Sequence, residues 1–141
     1  MNQETFKKLR DWEEQCLIRH GFYIHAVMGT AYTPRTKEDP ELLDVHTHGL
    51  LEKYNHPELQ IVFPLGVLSP EVLHQIIHNA VDLIKEGKKL EEGKTYENVI
   101  QNYQVGILNS GNHRRIILPD DKGNLQSQKP TFAIQRRVNI S

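Results

Sequence analysis

The chain predicts an α+β domain: a mostly antiparallel, curved sheet with an N-terminal helix and a central helix packed on one face. Three observations carry this. Helix-period and strand-period segments follow one another as helix, three strands, helix, three strands. Hairpin-length turns separate several of the strands, which favours antiparallel pairing. One long amphipathic run, from Pro70 to Gly87, has the caps of a single helix.

Residues 3 to 20 read as the first helix. Phe6, Leu9, Trp12 and Cys16 form one apolar stripe, Asn2 is placed to cap the start, and Gly21 to end it. Phe22 to Met28 reads as a strand. Residues 29 to 43 hold two prolines and five charges, and read as a surface loop. Strands are expected at 44 to 51 and 58 to 64, joined by a turn over Lys53-Tyr54-Asn55-His56-Pro57. Ser69 is an N-cap and Pro70 suits the first helical position. Leu73, Ile76, Ile77, Ala80 and Ile84 then make the buried face. A short helix is expected over Thr95 to Ile100, and strands at 103 to 109, 114 to 119 and 130 to 140. In the last strand Phe132, Ile134, Val138 and Ile140 share a face that Arg136 interrupts.

The 141 residues suit a single domain, 1–141, able to bury a core. Seventeen basic side chains against eighteen acidic give a net charge of −1, so nucleic acid is not an expected partner. No apolar run reaches the roughly 18 residues of a membrane span, and the N-terminus is no signal peptide. The single cysteine, Cys16, suits a reducing cytosol, so a cytoplasmic location is expected.

Three groups of residues hold candidate chemistry. His46 and His48 are i and i+2 on a strand and so share a face, where two imidazoles supply half of a site for zinc or another divalent transition metal. A third ligand would come from His56, His74, His78, Glu58 or Asp44; His78, on the main helix, is the one taken forward. Plain half-exposed histidines are the commoner meaning of such a pair. His56 and Glu58 are the candidate acid–base residues, against a turn-fastening role that polar side chains more often play. Tyr23, Thr47 and Arg136 are candidates for contact with a ligand or partner, Arg136 because interfaces favour arginine. Cys16 reads as core rather than nucleophile, and no phosphate-binding or nucleophile-elbow motif is present.

Thr47, Gly49 and Leu50, then five residues, then His56-Pro57-Glu58-Leu59, resemble the signature of the bacterial family called domain of unknown function 4262. Gly21-Phe22, Pro70, His74, Gly87, Gly93, Tyr96 and Asp120 to Gly123 extend the resemblance over about residues 20–126. His46 and His48 stand where the family usually has an aromatic and an aliphatic residue. A looser similarity runs to the Suppressor of fused group, whose bacterial members look like toxin-neutralising immunity proteins. That resemblance implies a non-catalytic binding or regulatory domain with a protein partner. The alternatives are a metal-dependent enzyme centred on His46 and His48, and a small-ligand binder lined by Tyr23, His46 and His48.

Overall fold

A computed structural model describes residues 3–28 and 40–138. Asn2, Ile140 and most of the loop expected over 29 to 43 lie outside these. The elements are α1 (Gln3–His20), β1 (Tyr23–Met28), β2 (Leu42–His48), α2 (Leu50–Tyr54), β3 (Glu58–Pro64), α3 (Pro70–Lys85), β4 (Thr95–Tyr96), β5 (Val105–Ser110), β6 (His113–Ile117) and α4 (Pro130–Arg137). The six strands form one open sheet in the order β1-β2-β3-β6-β5-β4. Every pair is antiparallel except β3 and β6. The α+β class and the mostly antiparallel sheet are thus as the sequence predicts.

α3 forms where the pattern places it. The Ser69 side chain accepts from the Val72 amide, Pro70 opens the helix, and Gly87 follows it with a φ of +94°. Leu73, Ile76, Ile77, Ala80 and Ile84 are all buried. They pack on Leu43, Val45, Leu59, Ile61 and Phe63 from one face of the sheet. Because side chains alternate along a strand, Leu42 and Val62 point the other way, where they meet Ile134 of α4 and Val138 just after it. Ile77 has no exposed surface, so Ile77→Ala is expected to cost roughly 2–5 kcal/mol. A denaturation experiment finding less than about 0.5 kcal/mol would remove it from the core.

Four local expectations are corrected. β2 stops at His48 rather than 51, because Gly49 takes a left-handed backbone (φ +112°) and the chain enters α2. Asn55, at φ +53°, ends that helix. Residues 95 to 100 give β4 and a bent segment, not a helix: Thr95 and Tyr96 pair with Gly106 and Val105. The segment 130 to 140 was expected as a strand, but Pro130 to Arg137 is helix. Pro130 suits a first helical turn, and β6 is already flanked by β3 and β5. Ile134 and Val138, read as every-other-residue partners, are equally i and i+4 on a helix. Leu9 and Trp12 of the α1 stripe are not core either, being 41% and 47% exposed.

Candidate functional site

The face of the sheet that α4 partly covers has a run of polar side chains from four strands. Tyr23 pairs with His48 and His25 with His46 across β1 and β2, and His46 pairs with Gln60 on β3. Gln60 in turn pairs with Arg115, and Glu58 with His113, on β6. Alternation therefore brings His25, His46, His48 and His113 to one face.

The imidazoles are close. His46 Nε2 lies 3.1 Å from His48 Nε2, and His46 Nδ1 lies 3.2 Å from Asp44 Oδ1. The carboxylate can only accept, so His46 donates from Nδ1 and turns Nε2 toward His48 with its lone pair. One nitrogen from each of His25, His46 and His48 falls in a group whose members are all within 4.8 Å of one another. The Tyr23 ring stacks on His48 at 5.0 Å, and His113 meets His46 edge-on at 5.6 Å. Burial, then repulsion from His46, lowers the pKa of both His48 and His113. Neutral imidazole is the form that ligates metals.

Beneath this cluster runs a buried polar chain. Gln60 Nε2 donates to Asp44 Oδ1 at 3.2 Å, and Arg115 Nε donates to Gln60 Oε1 at 2.9 Å. Arg115 also donates to Ser110 Oγ and to the Gln135 and Val138 carbonyls. Burial lowers the Arg115 pKa, while the Asp44 charge opposes that shift. Asp44, Gln60 and Arg115 thus tie the His46 orientation to the seat of α4.

The motif residues occupy a neighbouring corner. Thr47 Oγ1 donates to Glu58 Oε1 and accepts from the Leu59 amide, both at 2.9 Å. Glu58 further accepts from the Leu50 and Leu51 amides at 3.0 and 3.1 Å. The carboxylate thereby satisfies free N–H groups at the start of α2. His56, 3% exposed, has Nδ1 2.7 Å from the Pro57 carbonyl and accepts at Nε2 from the Leu90 amide at 3.0 Å. Thr47, His56 and Glu58 are therefore engaged in fastening the turn, and His56 offers neither nitrogen to solvent.

His46 and His48 come together as the strand spacing implies, but His78 does not join them. It lies on the opposite face, its ring 5.3 Å from Phe22 and 6.1 Å from His20. His25, which the sequence reading did not name as a ligand, is the third histidine beside them. Arg136 on α4 donates to the Leu125 and Ser127 carbonyls at 2.7 and 2.6 Å. Sequence reasoning passed over His25 and His113. The available signal was that Tyr23 and His25 alternate as His46 and His48 do; the pairing of the two strands was needed to use it.

His56 and His78 both have lowered pKa values, chiefly through burial. As pH falls, the unfolded chain takes up protons at these residues before the folded one. The stability they contribute is complete above the unfolded imidazole value of about 6.5 and is lost as pH falls through the folded values. The urea midpoint is expected to drop between about pH 7.5 and pH 5; a flat profile would contradict this.

The fold and site define a small α+β domain with an open sheet and a histidine-lined face. Residues 17–116 match the family described as Domain of unknown function (DUF4262), and the chain belongs to that family. The match takes in the whole stretch from Thr47 to Leu59. No curated protein and no solved structure matches the chain. Among the described residues no helix is long and apolar enough to cross a membrane.

Proposed function

We propose that this domain binds a divalent transition metal through His25, His46 and His48. The observation that carries it is the mutual approach of three imidazole nitrogens to within 4.8 Å. At zinc–nitrogen distances near 2.0–2.1 Å, ligands of a tetrahedral site sit about 3.3 Å apart. His46 and His48 are already at 3.1 Å, so loading asks chiefly for His25, within 4.8 Å of both, to close in on them. An all-imidazole set favours zinc, copper, nickel or iron over magnesium or calcium, which prefer oxygen. The Asp44 contact supports the reading, since metal-bound histidines usually donate their second N–H to a carboxylate or carbonyl.

The sequence favours a domain that binds a protein partner, with a metal at His46 and His48 under its alternative; the approach of the imidazoles supports the metal. The immunity-like role drawn from the looser resemblance gains no support from the site. Thermal denaturation with and without zinc tests the proposal. A ligand at a hundredfold excess over its dissociation constant stabilises by about 2.7 kcal/mol, which moves the midpoint by several degrees. His25→Ala, His46→Ala and His48→Ala should each remove most of that shift, and His78→Ala should leave it intact. A shift that survives His46→Ala, or is lost with His78→Ala, would overturn the assignment.

A further inference from the structure

His113 is unexplained by the turn, the core or the Arg115 chain. Its Nδ1 is buried and has no hydrogen-bond partner among the described residues. Buried polar atoms in native proteins are almost always satisfied, so this nitrogen calls for a partner, and a metal ion is one that would serve. The orphan here sits on a ring packed against His46, at the margin of the three-nitrogen group. We propose that His113 is the fourth ligand, so that the metal is enclosed by four imidazoles with no position left for water. The proposal rests on the metal-binding reading above and goes past it, because it decides between a closed site and an open, hydrolytic one.

Ring spacing supports it. With metal–nitrogen bonds near 2.0–2.1 Å, the ring centres of a tetrahedral four-histidine site lie about 5.2 Å apart. The observed centres are 4.8 Å for His46–His48, 5.3 Å for His25–His46, 5.7 Å for His25–His48 and 5.6 Å for His46–His113. Four of the six pairs that four ligands make lie close to that value; among the described rings His113 meets His46 alone, so loading must also bring it nearer His25 and His48. His113 reaches the group from β6 on the side opposite His25 on β1, so the rings approach His46 from two directions across the sheet. The His113 nitrogens lie outside the three-nitrogen group, so on this proposal metal loading draws the ring inward. Tyr23 stacks over His48 without competing for the same position.

A closed site and an open one differ in what they exchange. Loading the full chain with cobalt(II) and recording its visible spectrum with and without azide separates them. A closed site keeps its spectrum in azide, because no solvent ligand is there to be displaced. His113→Ala should lower cobalt affinity at least tenfold and make the spectrum azide-sensitive. The wild-type arm stands even if the variant folds poorly, and His113→Asn provides a smaller substitution for the second arm. Stoichiometric cobalt with an azide-responsive wild-type spectrum would overturn the role of His113 while leaving the three-histidine reading in place. No cobalt binding at all would overturn both.

Discussion

Arg115→Ala is expected to destabilise the domain by about 3–5 kcal/mol, the usual cost of removing one member of a buried charged network. The side chain is 1% exposed and joins β3, β5, β6 and α4. Its donors reach Gln60 Oε1 at 2.9 Å, Ser110 Oγ at 2.8 Å, and the Gln135 and Val138 carbonyls at 3.1 and 2.6 Å. Alanine would strand those acceptors, each at a desolvation cost of about 1–3 kcal/mol. It would also leave the Asp44 carboxylate, 7% exposed, without the nearby cation. Arg115→Lys is expected to recover little, because a single ammonium cannot serve acceptors spread over a planar fork. Guanidinium denaturation reads the loss. A cost below about 1 kcal/mol for alanine would mean that the network contributes little.

Gly49→Ala comes second, at about 2–5 kcal/mol. The left-handed backbone costs an L-residue roughly 1–2 kcal/mol, and overpacking adds roughly 1–3 kcal/mol. A Cβ on Gly49, at φ +112°, would lie 2.6 Å from the Gly21 carbonyl oxygen and 3.0 Å from Phe22 Cα. Both are backbone atoms and cannot turn aside. Gly66 is the internal control: its φ is +86°, but a Cβ there would meet nothing within 4 Å. Gly66→Ala should therefore show the conformational cost alone. Equal losses in the two variants would contradict the close-approach account of why β2 stops and α2 begins.

Much of the architecture could be read from local chemistry. Ser69, Pro70 and Gly87 delimit α3, and its apolar period chooses the buried face. What escaped depended on partners distant in the chain. α2 exists because Glu58, seven and eight residues away, accepts from the Leu51 and Leu50 amides. α4 was read as a strand because Ile134 and Val138 fit either period, and only the occupied edges of β6 decide between them. The site shows the same division. His46 and His48 reveal themselves by spacing within one strand. His25 and His113 enter through the pairing of β1 with β2 and of β3 with β6, which no local pattern encodes. His78, taken forward as a third ligand for its place on the main helix, is excluded because α3 lies on the other side of the sheet.

The central claim is that the histidine face holds a metal. The most direct measurement is elemental analysis of protein purified without a histidine tag and without chelators. Close to one transition-metal ion per chain is expected, and none in a folded His46→Ala/His48→Ala double variant. Metal-free wild-type protein, with a melting temperature unmoved by added zinc or by chelator, would contradict it.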